Sequence, residues 1–266
     1  MLISEALDIK GRAFISLVGA GGKSTLFNRL AGELAFRRKR MILTTTTHMF
    51  GWQLDPFIKK GKLAESKDEN IFRDCIRKYF SSESQGEGLV VIYDREWEGE
   101  NEKYCGPPSE WLDKWWREGL ADFFLVEADG ARRRSIKAPA FYEPVIPLST
   151  TDLIGVVGID AVGLPLQEKN VFRPKIFAQL TGVEFGEKLK IKDIAHLVCH
   201  PYGLFKGATK GCNCHLFINK VENKKTRKLA KELASQVFKY CAGRVNDIII
   251  GAACHDKAVE LIKGVR

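Results

Sequence analysis

The segment that most constrains the fold is residues 13–36, where an apolar run leads through glycines into a helical pattern. The run AFISLV over residues 13–18 is typical of a buried strand, and LFNRLAGEL at residues 26–34 has helical periodicity. Glycine permits positive φ and lets backbone N–H groups approach an anion, while a helix start adds unpaired N–H donors. The segment therefore predicts a phosphate-binding loop made of Gly19, Ala20, Gly21, Gly22, Lys23, Ser24 and Thr25.

Residue types within this loop predict distinct roles. We expect Lys23 to reach the terminal phosphates of a nucleoside triphosphate, and Ser24 to place its hydroxyl on Mg²⁺. The usual motif has a glycine five positions before its Gly-Lys pair, but Leu17 stands there in this chain. The loop is therefore shorter than the standard one. A tight turn without a ligand is the alternative interpretation.

Short apolar runs alternate with helical patterns along the rest of the chain, which predicts βα units, a mostly parallel sheet and a single domain over residues 1–266. The near-continuous apolar runs are typical of strands covered on both faces. The predicted strands are Ala13–Val18, Met41–Thr44, Leu89–Tyr93, Phe123–Glu127, Leu153–Val157, His215–Asn219 and Asp247–Ile250. The predicted helices are Ser24–Phe36, Glu69–Tyr79, Ser109–Gly119, Pro174–Leu180, Lys192–Cys199, Lys224–Tyr240 and Asp256–Lys263. The least regular stretches are Gln53–Lys67, Asp94–Pro108 and Ala128–Thr151.

The second predicted strand ends in a run of hydroxyl-bearing residues followed by a histidine. In a parallel sheet this end points toward the phosphate site. Continuation of a β-branched strand into a helix cap is the alternative. The residues expected to contact the nucleotide, Mg²⁺ or a water are Thr45, Thr46, Thr47 and His48.

The fourth predicted strand ends in two carboxylates, Glu127 and Asp129. An apolar strand that ends in carboxylates is the arrangement of a Walker B element, in which one carboxylate holds Mg²⁺ and another orients the attacking water. The sequence does not assign the two roles.

A basic segment follows, and we expect some of Arg132, Arg133, Arg134 and Lys137 to bind an anion or to remain solvated.

Two later segments carry weaker signals. Asn219 and Lys220 resemble the start of the Asn-Lys-x-Asp signature by which GTPases bind guanine, but Glu222 replaces the aspartate, so a plain strand end is an equal alternative. Five further residues with metal-binding side chains lie close together in the sequence, although their spacing is not typical of zinc sites. They are Cys199, His200, Cys212, Cys214 and His215.

Composition restricts the class of protein. With 266 residues, 45% of them hydrophobic, the chain can bury a large core. An odd number of scattered cysteines, seven, argues against a disulfide framework, and we expect a cytoplasmic protein without a membrane span. The net charge is +9, but no aromatic residues alternate with the basic run at residues 37–40, so nucleic acid is not the expected partner.

Seven segments, in this order, resemble the YqeC family. They read GAGGKST, TTTTHM, EADGARRRSIKAP, EPVIP, GIDAVGLPL, HPYGLFKG and INKVE, and they span nearly the whole chain. The resemblance implies a three-layer P-loop NTPase-like fold. It also implies an accessory role in maturing a selenium-dependent molybdenum hydroxylase, with that enzyme as client and a molybdopterin-type ligand as a further expectation.

Three functions follow from these observations. The first is a maturation factor that binds ATP or GTP with Mg²⁺ and hydrolyses it, using Lys23, Glu127 and Asp129. The second is a small-molecule kinase or nucleotidyltransferase whose arginine segment binds a phosphorylated acceptor. The third is a non-catalytic scaffold that holds a nucleotide or cofactor and docks on a client enzyme.

Overall fold

The central strand of the fold is Ala13–Gly19, whose seven residues are all buried. A computed structural model, which describes residues 1–58, 63–81, 88–241, 243–254 and 259–263, places this strand fifth in a nine-stranded sheet. The strands are β1 (Ala13–Gly19), β2 (Met41–Thr45), β3 (His48–Phe50), β4 (Leu63–Glu65), β5 (Gly88–Ile92), β6 (Asp94–Glu98), β7 (Asn101–Cys105), β8 (Phe123–Glu127), β9 (Ile136–Lys137), β10 (Asp152–Gly158), β11 (Val171–Phe172), β12 (Asn213–Asn219), β13 (Asp247–Ile250) and β14 (Glu260–Lys263).

Eight α-helices lie among the described residues, with a short 3₁₀ helix over Ile159–Ala161. The α-helices are α1 (Ile3–Ala6), α2 (Lys23–Ala35), α3 (Gly51–Ile58), α4 (Glu69–Ser81), α5 (Ser109–Arg117), α6 (Pro174–Thr181), α7 (Ile191–Cys199) and α8 (Lys224–Tyr240). None of the helices in the described part of the chain combines the length and apolar character that crossing a membrane requires.

The main sheet has the order β14-β13-β12-β10-β1-β8-β2-β5-β4. Every neighbouring pair of strands runs parallel except β13 and β14, so the predicted, mostly parallel sheet is confirmed. Because parallel strands end at the same edge, the segments that follow β1, β2, β8, β10 and β12 gather there. This edge of the sheet holds the candidate site.

Alternate residues of β1 face two different helical layers. Ile15 and Leu17 pack in a cluster with α1, α2 and α3. On the other face, Phe14 packs with α4 and α5, and Val18 packs with α6, α7 and α8. The sheet is therefore covered on both faces, which explains why the strands are continuous apolar runs. The three-layer α/β architecture predicted from the sequence is confirmed and is consistent with a P-loop NTPase-like fold.

Each of the seven predicted strands is present, and Phe123–Glu127 and Asp247–Ile250 have the predicted ends. Six of the seven predicted helices are present too, and Lys224–Tyr240 has the predicted ends. The other ends shift by one or two residues. Strong periodicity over buried segments explains this agreement, because each of these elements contributes a face to the core.

The prediction of a helix over Asp256–Lys263 is wrong for the part of this range that the structure describes. Residues 260–263 form β14, which pairs antiparallel with β13 and brings Ile262 opposite Ile248, while residues 255–258 lie outside the described part. Backbone pairing with an open sheet edge outweighs a weak helical pattern in so short a segment.

The stretch Asp94–Pro108, predicted to be irregular, instead contains a hairpin. Strands β6 and β7 pair antiparallel, and β3 joins β7 to make a separate three-stranded sheet. The sequence of β6, DREWE, carries no apolar run, which fits a strand in which all residues after Asp94 are exposed. The stretch Gln53–Lys67 likewise contains the end of α3 and strand β4.

The cysteine pattern argued against a disulfide framework, and the structure contains one disulfide. Cys199 at the end of α7 and Cys241 just after α8 form a disulfide, with their Cα atoms 5.2 Å apart. They are 42 residues apart in sequence and meet only because α7 packs beside α8. The other five cysteines are free.

Trp115 of α5 fills the core between α5 and the sheet. Its side chain is fully buried, and its indole N–H has no hydrogen-bond partner within the described part of the chain. Trp115→Ala is therefore expected to lower the free energy of unfolding by about 3–5 kcal/mol through lost packing alone. Urea unfolding measures this, and Trp97→Ala, at a tryptophan that is 69% exposed, is the control with little expected change.

Candidate functional site

Three glycines let the loop after β1 turn within a crowded space. Gly19, Gly21 and Gly22 have φ angles of 92°, 96° and 112°, a region that other residues rarely adopt. A Cβ at Gly21 would lie 2.2 Å from the backbone nitrogen of Gly158, and one at Gly22 would lie 2.4 Å from Asn219 Nδ2. Glycine is therefore required at these positions by both conformation and space.

The first amides of this loop are engaged by the protein itself. Gly19 N–H donates to Asp129 Oδ2 over 3.0 Å, Ala20 N–H to the Val156 carbonyl over 2.9 Å, and Gly21 N–H to the Arg134 carbonyl over 2.9 Å. These bonds fix the loop against β8, β10 and the basic segment. They also mean that this half of the short loop does not present its amides outward.

The start of α2 does present amides. The helix begins at Lys23 with no side-chain cap at Gly22, and Leu26 N–H makes its first backbone bond, to the Gly22 carbonyl over 3.0 Å. The amides of Lys23, Ser24 and Thr25 consequently have no acceptor within the helix. Uncapped amides and the positive end of the helix dipole together favour an anion at this position.

Lys23 lies in a buried network of charges. Its Nζ donates to the Gly19 carbonyl over 2.7 Å and lies 3.0 Å from Asp129 Oδ1 and 3.7 Å from Glu127 Oε1. Burial by itself would lower the pKa of Lys23, but attraction to Asp129 and Glu127 outweighs burial, so its pKa is raised. Lys23 therefore remains an ammonium ion in a buried position.

Glu127 lies beside the hydroxyl of Ser24. Ser24 Oγ donates to Glu127 Oε2 over 3.2 Å, and Gln53 of α3 donates its amide to the same hydroxyl oxygen. Burial raises the pKa of Glu127, and only part of this effect is offset by Lys23. The carboxylate and hydroxyl oxygens of this pair are the kind of ligand that binds Mg²⁺.

A second buried lysine extends the network. Lys137 Nζ lies 2.9 Å from Asp129 Oδ2 and 2.7 Å from Glu143 Oε2. Arg173 also pairs with Glu143. Burial opposes ionisation of Glu143, but hydrogen bonds from Arg173 and Lys137 outweigh it and lower its pKa to about 2. Glu143 and Arg173 were not predicted as site residues, because neither follows a strand of the main sheet.

The threonines at the end of β2 and just after it have mostly structural partners. Thr45 donates to the Glu127 carbonyl over 2.7 Å, and Thr46 donates to the Val145 carbonyl over 2.6 Å. Thr47 and His48 line a cavity, and His48 Nε2 lies 3.2 Å from Glu96 Oε2. The structure thus brings Thr47 and His48, but not the hydroxyls of Thr45 and Thr46, to an open surface.

The basic segment curves over this edge of the sheet. Arg132 and Arg133 have positive φ, and their guanidinium groups lie 5.6 Å from the Phe172 ring and 5.0 Å from the Trp52 ring. Arg134 donates to the Glu168 carbonyl over 2.8 Å. Arginines over aromatic rings keep their charge and leave donors for a ligand.

Asn219 and Lys220 have partners inside the protein. Asn219 Nδ2 donates to the Gly21 carbonyl over 2.7 Å, and its Oδ1 accepts from Ala253 N–H over 2.8 Å. Lys220 donates to Ser135 and to Asp160, each over 2.8 Å. In this structure Asn219 braces the glycine loop rather than facing a cavity.

Two cavities adjoin at the edge of the sheet. The smaller, with a volume of about 190 Å³, is lined by residues 21–25 of the loop and helix start and by Arg134. The larger, of about 480 Å³, is lined by Phe50, Lys103, Arg132, Phe172 and Arg173 among others. The residues that line both are Trp52, Gln53, Glu127, Ala131 and Arg133. The pocket at the start of α2 thus adjoins a larger pocket with aromatic and cationic walls.

The cysteines and histidines that lie close together in sequence do not form one metal site. Cys199 is in the disulfide, and His215 is buried between Asp152 and Asp247, at 3.2 and 3.5 Å. Cys199 thus lies between α7 and α8, whereas His215 lies near the amino end of β12, away from the glycine loop.

Fold and site together define an α/β protein in which a glycine loop, a bare helix start and a carboxylate-tipped strand meet at one sheet edge. Comparison with known proteins identifies the family of this chain. A family model described as YqeC protein matches residues 15–175. The chain is also 33% identical over 206 residues to "Uncharacterized protein YqeC" of Escherichia coli (strain K12), over 77% of this chain and 75% of that protein. The chain belongs to the YqeC family, as its motifs predicted.

The pairing of Glu143 with Lys137 and Arg173 leads to a pH-dependent prediction. The folded pKa of about 2 lies below the ordinary value of 4.5, so the stabilisation is present above pH 4.5 and is lost as the pH falls toward 2. Glu143→Gln is expected to lower the free energy of unfolding by on the order of 2–3 kcal/mol at pH 7.

Urea unfolding at pH 7, 4.5 and 3 measures this effect. The difference between wild type and Glu143→Gln should shrink below pH 4.5, whereas the exposed Glu100→Gln control should stay close to wild type. A difference that is constant across this range would contradict the assigned pairing.

Proposed function

We propose that this protein binds ATP or GTP with Mg²⁺ at the start of α2 and hydrolyses it, as an accessory factor in maturing a selenium-dependent molybdenum hydroxylase. The observation that carries the nucleotide proposal is the uncapped helix start, with the buried ammonium group of Lys23 beside it. The accessory role rests on membership of the YqeC family and on the motifs that define the resemblance.

The amides of Lys23, Ser24 and Thr25 would bind the phosphates, because they lack acceptors and line the smaller cavity. In the proposed complex Lys23 Nζ would donate a hydrogen bond to a phosphate oxygen in place of the Gly19 carbonyl. The engaged amides of Gly19, Ala20 and Gly21 leave a shorter phosphate cradle than the standard loop provides. The helix start and Lys23 would therefore supply most of the affinity.

The oxygen atoms of Ser24 and Glu127 are the kind of ligand that Mg²⁺ prefers, and they lie 3.2 Å apart. When bound, Mg²⁺ would neutralise charge on the phosphates and on Glu127. Asp129, held by Lys23 and Lys137, positions both lysines and completes the acidic strand end. In this proposal Glu127 takes the metal and Asp129 orients Lys23, with Arg133 and Arg134 facing the phosphates from across the cavity.

Lys23→Ala tests the nucleotide site. The variant is expected to lose Mg²⁺-dependent release of phosphate from ATP or GTP by at least about 100-fold, because one positioned cation at the transferred group is removed. Phosphate release and the nucleotide-dependent rise in melting temperature are both measured, with Mg²⁺ present and absent.

Lys10→Ala is the matched control, since Lys10 is exposed and distant from the loop. Equal turnover by Lys23→Ala and wild type would overturn the assignment. A melting shift in wild type without any turnover would instead indicate the non-catalytic scaffold.

A second candidate function is favoured by the larger cavity. Its arginines and aromatic rings adjoin the phosphate pocket through Trp52, Glu127 and Arg133. Such walls suit a planar, anionic acceptor such as a phosphorylated pterin, to which a kinase or nucleotidyltransferase would transfer phosphate or nucleotide.

Labelled nucleotide distinguishes the two functions. With γ-labelled ATP or GTP and a phosphorylated pterin, hydrolysis releases all label as free phosphate, and this is the expected result. Label that appears on the pterin would establish transfer instead, and α-labelled nucleotide would show whether the nucleotide itself is transferred.

A further inference from the structure

The three-stranded sheet of β3, β6 and β7 brings three different metal-binding side chains together. His48 begins β3, Glu96 lies in β6 and Cys105 ends β7. Their ligand atoms all lie within 4.8 Å of one another, and His48 Nε2 lies 3.2 Å from Glu96 Oε2. No other group of three such side chains at this spacing occurs in the described ranges of the chain.

Strand pairing fixes this arrangement. His48 and Asp94 are both direct partners of Cys105, on opposite sides of β7. Glu96 lies two residues after Asp94, so its side chain emerges on the same face as Cys105. Residues on the opposite face, Met49 and Tyr104, are buried in the main core and anchor the sheet. The three side chains therefore share one face of a sheet that is held from behind.

Neighbouring cations neutralise other carboxylates on this sheet. Lys67 pairs with Asp94, and Lys103 pairs with Glu98. Arg95 pairs with Glu65 and Glu102. Glu96 instead faces His48, whose imidazole is 50% exposed, so the two remain accessible to a cation from solvent.

A set of one imidazole nitrogen, one carboxylate oxygen and one thiolate sulfur suits zinc(II) better than magnesium or calcium, which prefer oxygen ligands alone. Tetrahedral ligands at zinc bond lengths lie roughly 3.3–3.8 Å apart. Side-chain rotations that move the ligand atoms by about 1 Å would therefore bring them to this spacing. His48 also lines the larger cavity, which places the group at the rim of that cavity.

We propose that His48, Glu96 and Cys105 bind one zinc(II) ion, with the remaining coordination position open to water or to a ligand in the larger cavity. Three protein ligands with one open position is the pattern of zinc sites that do chemistry or exchange ligands. This site is distinct from the proposed Mg²⁺ position at Ser24 and Glu127, and its existence does not depend on nucleotide hydrolysis.

Cobalt(II) titration of the metal-free full chain, without nucleotide, tests the proposal. Wild type is expected to bind one equivalent with a thiolate-to-cobalt charge-transfer band, and one equivalent of zinc(II) should displace it. Cys105→Ser should lose the band. His48→Ala and Glu96→Gln should weaken cobalt binding at least about tenfold, since even loss of a residue that only orients a ligand costs this much.

Matched variants exclude other thiols and general misfolding. The double variant Cys212→Ser/Cys214→Ser and the single variants Cys75→Ser and Cys254→Ser should keep the band, because those thiols lie outside β3, β6 and β7. If Cys105→Ser does not fold, Glu96→Gln compared with Glu98→Gln decides, since both carboxylates are exposed on the same strand. The proposal is overturned if wild type binds no stoichiometric cobalt, if Cys105→Ser keeps the band, or if Glu98→Gln weakens binding as much as Glu96→Gln.

Discussion

The candidate site depends on a buried chain of alternating charges. Lys23, Asp129, Lys137 and Glu143 follow one another with contacts of 2.7–3.0 Å, and Arg173 closes the chain. Each charge would be costly to bury alone, but each has an opposite partner. This charge network begins at the first residue of α2 and continues through residues that follow β8. It therefore fixes the position of the glycine loop relative to the other walls of the site.

This network also determines what the site can accept. The buried cations already have carboxylate partners, so in the proposed complex a polyphosphate would have to bring Mg²⁺ with it or draw Lys23 away from Asp129 and Glu127. The exposed arginines and the uncapped amides of α2 can bind the ligand without such exchange. In the proposed complex, affinity and Mg²⁺ dependence would thus be linked through the same pair of carboxylates.

Short sequence patterns predicted several parts of the fold and of the site. Continuous apolar runs indicated the inner strands, because a parallel sheet covered on both faces needs them. The order of glycines, Lys23 and helix predicted the loop, because glycine adopts positive φ most readily and a helix start leaves its first amides unpaired. The polar hairpin of β6 and β7 gave no comparable signal because its strands carry no apolar run, and the edge strand β14 is too short for its pattern to separate strand from helix. The Cys199–Cys241 pair gave none because it joins residues 42 positions apart.

By itself the sequence determined the α/β class, the inner strands, the glycine loop and the carboxylates that end β8, because each follows from residue types within a short window. Only the tertiary structure decided the partners of those groups. In the structure the first three loop amides donate to groups of the protein itself, and Asn219 donates to the loop. Glu143 pairs with both Lys137 and Arg173. The tertiary structure also placed His48, Glu96 and Cys105 on one face. Such contacts join residues up to about 200 positions apart, and their geometry is set by sheet register and helix packing, which no local pattern encodes.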